Sequence, residues 1–439
     1  MLTSKSYLSE TANALRTNTI DVNEYVKQIC KIIDTNEAKI QALLPENNRI
    51  ERLLKEATEL KKRFPDTTKR PPLFGVPVGI KDIIHVNRFE TKAGSNLPSE
   101  LFQGAEASVV TKLKNAGAII LGKTVTTEFA YFEPGPTRNP HNLKHTPGGS
   151  SSGSAAAVAS GFTPLALGTQ TIGSVTRPAA YCGIIGYKPT LGRIAKDGII
   201  PFSVSADHVG MFTQDLNGLA LTASIICNGW QTNFIEQNKK PVIGIVNGKY
   251  LKQATNEIIE YFEKIIEYLQ KSGYTIIRLK AFENIEEINQ KHKKMISAEF
   301  SIVHNEWFNT YEQLYKKATK DLILEGKNIT IEELSKFRSG QVELRNNIEK
   351  QQKENKINIW LSPATTSPAP EGTNTGNPIM NLPWTYSGLP TITIPVGKTF
   401  NNLPVGLQFA GSFSEDEKLL GFVNEIYKNI KFEMGLDFM

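Results

Sequence analysis

One segment decides the fold: residues 147–159 read PGGSSSGSAAAVA. A loop rich in glycine and serine that leads into an alanine-rich run is typical of a helix N-terminus with its own capping residues. Such a loop can also bind anions on free backbone N–H groups. A phosphate loop of the Walker type would need a lysine followed by serine or threonine, and none follows here. Taken by itself, the segment is more often a helix cap or a flexible turn than a catalytic loop.

A second segment follows shortly afterwards, and residues 167–179 read LGTQTIGSVTRPA. Between the two, the pattern predicts a helix over about residues 152–161 and a strand over 163–167. The helix rises about 15 Å and the strand returns about 17 Å, so Ser150 and Ser174 can sit side by side at one end of a sheet. The turn before Ser174 could aim successive N–H groups at one point, as in an oxyanion hole, where one donor is worth about 3–4 kcal/mol.

A serine nucleophile needs a base, and two residues compete for this role. Lys81 ends the apolar run of residues 74–80, so its stem lies among apolar groups. To act as a base it must be neutral near pH 7, about three pH units below its free pKa, and burial can produce such a shift. His208 is the nearest histidine, and a structural role is the commoner one for it. From local sequence alone, a lysine at a strand end is also more often a surface residue than a base.

Composition and charge exclude several classes of protein. The 439 residues are 40% hydrophobic and 21% charged, which is ordinary for a globular protein. The net charge of +6 is dispersed, whereas nucleic-acid binders cluster their basic residues. Three scattered cysteines predict no disulfide framework and no metal site. No apolar run reaches about 18 residues and the N-terminus lacks the apolar core of a signal peptide, so we expect a cytoplasmic protein without membrane span, metal or cofactor.

Hydrophobic periodicity divides the rest of the chain into helices and strands. Helices are predicted within residues 1–65, over 109–116, over most of 252–353 and after Ser414. Strands are predicted over 74–80, 118–122, 274–279, 357–361, 391–396 and 406–410, and residues 133–154 are expected to be loop. The prolines within 74–80 argue against a central position in a sheet for that whole strand. Strands mixed with helices from end to end predict an α/β layered fold.

Six motifs, in this order, resemble those of the amidase signature family. They are residues 75–82 (GVPVGIKD), 91–95 (TKAGS), 116–124 (AGAIILGKT), the serine-rich loop, the loop around Ser174, and 404–408 (PVGLQ). The resemblance implies a single amidase domain over residues 1–439, with a central mixed β-sheet covered by helices on both faces. Its expected parts are N-terminal helices (1–65), catalytic core motifs (70–230), a helix-rich cover region (231–355) and the C-terminal part of the core (356–439).

The resemblance also implies a mechanism. The positions that match the family's Ser–Ser–Lys triad are Lys81 as base, Ser150 as proton relay and Ser174 as nucleophile. A cis peptide bond typically precedes the middle serine, here Gly149–Ser150. The oxyanion would be held by the backbone N–H groups of Thr171, Ile172 and Gly173, together with that of Ser174.

Three positions around the nucleophile depart from the family's common pattern. Ile172 replaces a glycine, Gln170 stands at an often acidic position, and Thr176 stands where arginine is common, with Arg177 one residue later. The loop therefore resembles free-standing hydrolytic amidases more than the catalytic component of the tRNA-dependent amidotransferases. We expect hydrolysis of an amide, carbamate or urea. The alternative is a glutamine-dependent amidotransferase subunit that passes ammonia to a partner enzyme, and the intact triad disfavours a third option, a non-catalytic binding protein.

The substrate is less well defined than the chemistry. Segments that often border the family's pocket contain aromatic residues, of which we select Phe129, Tyr131 and Trp384 as substrate contacts, although core packing is equally common for each. Ser151 is a further candidate contact, with capping and loop hydrogen bonds as the commoner role. The expected partner is a small-molecule amide, without nucleic acid or membrane. Family members are often dimers, and the sequence does not decide whether this chain forms a homodimer.

Overall fold

A computed structural model describes residues 2–231 and 240–434. The boundary predicted at residue 231 adjoins residues 232–239, which lie outside the described residues, as do 435–439. The strands are β1 (Pro77–Lys81), β2 (Ile119–Thr124), β3 (Leu165–Gln170), β4 (Ile185–Lys188), β5 (His208–Thr213), β6 (Ile243–Val246), β7 (Ile276–Leu279), β8 (Ile359–Pro363), β9 (Thr391–Lys398) and β10 (Pro404–Ala410). The helices are α1 (Leu8–Thr17), α2 (Val22–Ile40), α3 (Arg49–Arg63), α4 (Ser108–Asn115), α5 (Ser152–Ala159), α6 (Thr176–Cys182), α7 (Leu216–Ile226), α8 (Asn256–Lys271), α9 (Ile285–Val303), α10 (Asn305–Tyr311), α11 (Lys317–Gly326), α12 (Ile331–Glu354), α13 (Leu382–Tyr386) and α14 (Asp416–Met434).

All of these strands join one mixed sheet. Their order is β2-β1-β3-β5-β4-β9-β10-β8-β6-β7. The two ends are parallel, with β1 between β2 and β3 at one end and β6 between β8 and β7 at the other. The middle, from β3 to β8, is antiparallel. The predicted α/β class with a central mixed sheet is confirmed.

Helices cover both faces of the sheet, because successive strand residues point to opposite sides. On one face, Ala166 of β3 and Phe212 of β5 share a buried cluster with α5 and α6. On the other face, Leu167 of β3 and Met211 of β5 belong to the main core, which also includes buried residues of α7 and α14. Every residue of α5 is buried, so its alanines and serines allow the helix to lie close against the sheet.

Two predicted strands need correction. The run 74–80 forms a strand only from Pro77 onwards, and β1 is paired on both sides, contrary to the non-central position that its prolines suggested. The reason is that Pro77 is the first strand residue, where a missing N–H is tolerated. The strand predicted over 163–167 lies later, at β3, after Pro164. The helices over 109–116 and after Ser414, and the strands near 118–122, 274–279, 357–361, 391–396 and 406–410, are confirmed with small shifts.

The topology places several predicted site residues at one edge. Strands β1 and β3 run parallel with Ile80 opposite Leu167, so their carboxyl ends lie together. Lys81 ends β1, and the chain leaves β3 into the turn before Ser174. In the described part of the chain, no helix combines the length and apolar character needed to cross a membrane.

Candidate active site

Lys81 is fully buried at the end of β1. Its Nζ lies 2.7 Å from Ser150 Oγ, 2.9 Å from Thr169 Oγ1 and 3.5 Å from the Thr169 carbonyl oxygen. These contacts join β1, β3 and the serine-rich loop at a single amine. The structure therefore brings Lys81 and Ser150 into direct contact.

The surroundings of Lys81 favour the neutral amine. Burial holds the pKa of Lys81 well below its usual value, with a smaller opposing effect from Asp207. Asp82 is adjacent in sequence, but its carboxylate lies 2.9 Å from Lys123 Nζ and is buried with it. Lys123 thus neutralises the nearest acid in the sequence. A buried amine that forms no ion pair loses its proton more readily than an exposed one.

Ser150 follows a cis peptide bond, Gly149–Ser150, as the resemblance implied. The loop is tightly packed at this point, since a Cβ on Gly149 would lie 2.8 Å from Thr375 Cγ2. The Gly149 carbonyl accepts a hydrogen bond of 2.7 Å from Arg177 Nη2. The serine therefore lies in a loop anchored to α6 by a buried guanidinium group.

The turn that carries Ser174 is organised by Gln170. Its side-chain oxygen accepts the backbone N–H groups of Val175 at 2.7 Å and Thr176 at 2.9 Å. Its amide nitrogen donates to Thr385 Oγ1 at 2.9 Å, and Thr385 donates in turn to the Ile172 carbonyl at 2.6 Å. A neutral amide can both accept and donate here, which a carboxylate cannot do.

Three backbone N–H groups in this turn have no hydrogen-bond partner among the described residues. Within the described ranges, the N–H groups of Ile172, Gly173 and Ser174 donate no hydrogen bond. The Thr171 carbonyl accepts a hydrogen bond of 2.9 Å from His292, and Thr171 Oγ1 donates to Asp207 at 2.6 Å. Because the carbonyl and the side chain of Thr171 both form hydrogen bonds, the backbone of this turn is fixed in position.

A narrow cavity contains both predicted serines in its lining. The remaining lining residues are Ala130, Tyr131, Phe132, Thr171, Ile172, Arg177, Phe202 and Pro378. Most of these side chains are apolar, and Arg177 is the charged one. The space in it that is open to a water-sized sphere is about 10 Å³, which is room for about one water molecule.

Of the four predicted substrate contacts, Tyr131 lines this cavity and the other three lie elsewhere. Phe129 is buried in an aromatic cluster with rings of the cover region. Trp384 is buried and its indole donates to Tyr250 at 2.8 Å. Ser151 donates to the Thr169 carbonyl at 3.2 Å. Phe129 and Trp384 are therefore packed in the core, which was the alternative to substrate contact. Ser151 forms a hydrogen bond within the loop, which was the alternative for that residue.

A second cavity of about 150 Å³ adjoins the first, and Thr171 and Phe202 line both. His208 lines this second cavity, where its Nδ1 lies 2.7 Å from the Ala206 carbonyl. Burial holds the pKa of His208 well below its usual value. It therefore stays a neutral ring bonded to the backbone, in keeping with the structural role expected for it.

Several residues that shape the site carry no signal in the sequence pattern. His292 and Thr385 reach the Ser174 turn from α9 and α13, more than a hundred positions away. Asn381 lies against Gly173, where a Cβ would come within 2.3 Å of Asn381 Oδ1. In the sequence, the signal for this hydrogen-bond network is Gln170, which stands where the family often has an acidic residue. No group of three or more His, Cys, Asp or Glu side chains among the described residues could hold a metal ion.

Comparisons with known proteins find similarity to amidases and amidotransferase subunits over most of the chain. The sequence model of the family described as Amidase matches residues 24–420. The chain is 28% identical over 468 residues to the A subunit of the glutamyl-tRNA(Gln) amidotransferase of Saccharolobus solfataricus, with 95% of each chain covered. A crystal structure described as an amidase superposes with a TM-score of 0.87 at 25% identity, covering 96% of this chain and 99% of that one. The native peptide amidase from Stenotrophomonas maltophilia superposes with a TM-score of 0.84 at 24% identity, covering 98% and 97%.

Proposed function

Since the chain belongs to the amidase signature family, whose enzymes cleave C–N bonds, we propose that it hydrolyses a small amide through an acyl-enzyme. Ser174 is the nucleophile, Ser150 the proton relay and Lys81 the base in this proposal. The fold predicted from the six motifs agrees with the superposed amidases. Carbamates and ureas share the same bond type and stay within the proposed class.

The contact that carries the proposal is the one between Lys81 Nζ and Ser150 Oγ, 2.7 Å apart in a buried site. A neutral amine has two N–H groups and one lone pair. Thr169 offers two acceptor oxygens, at 2.9 and 3.5 Å, for the N–H groups. The lone pair is then left for the Ser150 hydroxyl, which is the arrangement a general base requires.

The proposed proton path extends this contact to Ser174, which lines the same cavity as Ser150. Lys81 takes the proton of Ser150, Ser150 takes the proton of Ser174, and Ser174 Oγ forms a bond to the substrate carbonyl carbon. When the tetrahedral intermediate collapses, the C–N bond breaks and the relay returns a proton to the leaving nitrogen. Water then attacks the ester along the same relay, which releases the acid and restores Ser174.

The negative oxygen of the intermediate needs fixed donors. In this proposal the backbone N–H groups of Ile172, Gly173 and Ser174 are the donors, since they donate no hydrogen bond to the described residues. The backbone N–H of Thr171 is the other predicted donor. Donors that are already oriented need no reorganisation during the reaction, and removal of one typically costs about 3–4 kcal/mol. The hydrogen bonds that Gln170, Thr385 and His292 make to this turn support that orientation.

A fluorophosphonate probe followed by peptide mapping tests the nucleophile. We expect labelling at Ser174, loss of labelling in Ser174→Ala, and a loss of several orders of magnitude in amide turnover for Ser150→Ala and Lys81→Ala. Ser152→Ala is the matched control, since the side chain of this buried serine forms, among the described residues, a hydrogen bond only to the Val125 carbonyl, at 3.4 Å. Labelling at another residue, or full turnover by Ser174→Ala, would refute the assignment.

A second candidate is the transfer of ammonia from glutamine to a partner enzyme. The observation that favours it is the match of 95% of the chain to a protein named as the A subunit of an amidotransferase. The departures at Gln170, Ile172 and Thr176 weigh against it. Release of ammonia from glutamine in preference to other amides, increased by a co-purifying partner, would favour this candidate over the free-standing hydrolase.

A further inference from the structure

Tyr131 and Phe132 line the catalytic cavity together with Ser150 and Ser174. The space left between the lining side chains holds about one water molecule, whereas even a small amide has several heavy atoms. The lining must therefore widen before an amide can react with Ser174. The contacts that hold Tyr131 and Phe132 in place then bear directly on which substrates enter.

Both residues belong to residues 128–133, which we call the wall segment, and the two residues before Tyr131 have an unfavourable backbone conformation. Phe129 has φ 45° and ψ 35°, and Ala130 has φ 62°. Residues with a Cβ rarely adopt this left-handed region, because the Cβ crowds the backbone there. Such a conformation persists only where the surrounding structure holds it. The position of Tyr131 therefore depends on what fastens the wall segment.

The wall segment is fastened to the first turn of α11. The carboxylate of Glu128 is fully buried, and it accepts the backbone N–H of Lys316 at 3.1 Å and a hydrogen bond from the Thr319 hydroxyl. At the other end of the segment, Glu133 Oε1 accepts the backbone N–H of Ala318 at 2.8 Å. Both ends of the wall segment are thus bound to the same helix.

The helix α11 depends on these carboxylates in turn. Its N-cap residue, Lys316, makes no side-chain cap hydrogen bond, whereas most helices begin with a small polar residue that supplies one. A buried carboxylate is costly unless its hydrogen bonds are made, and those of Glu128 come from residues 188 and 191 positions later. A local cap would stabilise α11 without this distant pairing. The pairing therefore couples the cover region to the cavity lining.

We propose that Glu128 is a positioning residue that sets the width of the catalytic cavity. By binding α11, it keeps the two residues before Tyr131 in the left-handed conformation, and this places Tyr131 and Phe132 beside the serines. The cavity then favours substrates with small groups on the reacting carbonyl, and loss of the attachment admits larger ones. The inference rests on the proposed hydrolase function, since it assumes that the reacting carbonyl lies at Ser174.

The test uses the ratio of two labelling rates. Diethyl and dibutyl fluorophosphate carry the same phosphorus–fluorine bond, from which Ser174 displaces fluoride, and they differ only in the length of their alkyl chains. After correction for their rates with hydroxide, wild-type protein should react with the diethyl compound at least about ten times faster, which is about the smallest effect of one excess methylene in a fitted pocket. Glu128→Ala should bring this ratio to within about threefold of 1. The ratio does not depend on the amount of folded protein, because both rates scale with it.

Two further variants and a control separate positioning from stability. Glu128→Gln keeps an acceptor for the Lys316 N–H, and its amide can donate to the Thr319 oxygen, so it should retain the wild-type ratio. Thr319→Val removes a contact to Glu128 from the side of α11, and it should lower the ratio although Thr319 does not line the cavity. The matched control is Glu37→Ala, since the Glu37 carboxylate also accepts two backbone N–H groups, from residues that do not line the cavity. It should lower the Tm and leave the ratio unchanged.

The outcomes distinguish this inference from the proposed function. A wild-type ratio near 1, with Ser174 labelled, would refute the inference and leave the hydrolase function standing. Equal reductions of both rates in Glu128→Ala would show that Glu128 only stabilises the fold, which also refutes it. If Glu128→Ala does not fold, Thr319→Val decides, and an unchanged ratio there refutes the inference. Failure of both compounds to label Ser174 in wild-type protein would refute the hydrolase function and this inference together.

Discussion

Replacement of Gly173 by alanine tests how closely the turn before Ser174 is packed. The neighbouring residues are Pro378 and Asn381, which precede α13. A Cβ at this position would lie 2.3 Å from Asn381 Oδ1 and 3.0 Å from Pro378 Cβ. Asn381 cannot easily withdraw, because its amide nitrogen donates to the Ala364 carbonyl at 2.8 Å and to Gln408 Oε1 at 2.9 Å. The strain therefore falls on the turn itself.

The size of the effect follows from these distances. An ordinary carbon–oxygen contact is about 3.3 Å, so the turn must move by about 1 Å. A displacement of that size at reacting groups can lower the rate about 100-fold, and overpacking costs about 1–3 kcal/mol of stability. We expect Gly173→Ala to fold, with a lower Tm, and to react at Ser174 about 100 times more slowly.

The assay is the second-order rate constant for fluorophosphonate labelling of Ser174, read by intact mass, together with thermal unfolding. Gly192→Ala is the control, since its φ is positive but no heavy atom lies within 4 Å of the added Cβ. It should lose stability and keep its labelling rate. Asn381→Ala in the Gly173→Ala background should recover part of the rate, because the two side chains interact directly. A wild-type rate for Gly173→Ala, or strictly additive effects in the double variant, would refute the reasoning.

Three further predictions concern the supporting groups. Gln170→Ala leaves two N–H groups near Ser174 without acceptors. We therefore expect its free energy of unfolding in urea to fall by about 2–4 kcal/mol and Ser174 to be labelled more slowly by the fluorophosphonate. Unchanged values would contradict the role of Gln170 in this network. Lys81→Met should abolish turnover yet equal or exceed wild type in stability near pH 7. Since burial lowers the Lys81 pKa, the unfolded wild-type chain holds the extra proton, and wild-type stability should rise towards pH 10 relative to the variant; parallel pH curves would contradict this. Burial lowers the pKa of His292 to about 4, so stability should fall between pH 6.5 and 4 by up to about 3 kcal/mol, and His292→Gln should flatten that slope.

Motif order and local patterns predicted the parts of the fold that depend on short stretches of chain. The helix after the serine-rich loop and the strand that follows it place Ser150 and Ser174 on one cavity, as the lengths of the two elements suggested. The shift of β3 to later residues shows the limit of this reasoning, because a strand's ends depend on its neighbours' hydrogen bonds. The central position of β1 likewise depended on where Pro77 fell within the strand.

Aromatic residues near the site were harder to place. Tyr131 lines the cavity, whereas Phe129, two residues earlier, turns into the aromatic cluster of the cover region. Phe129 has a positive φ of 45°, and this backbone conformation sets the direction of its side chain. Periodicity cannot predict such a residue within a loop, because no repeating geometry relates one position to the next.

The amino-acid sequence by itself determined the family, the fold class and the three residues proposed for the relay, since these depend on residue types in a fixed order. Only the tertiary structure decided the electrostatic state of those residues. Lys81 looks like a surface lysine in the sequence, and burial with Asp82 already paired to Lys123 is what favours its neutral amine. Likewise, only the structure shows that Arg177 is buried and that its Nε and Nη1 have no hydrogen-bond partner among the described residues. Burial and the absence of a counter-ion are properties of packed neighbours, which come from distant parts of the chain.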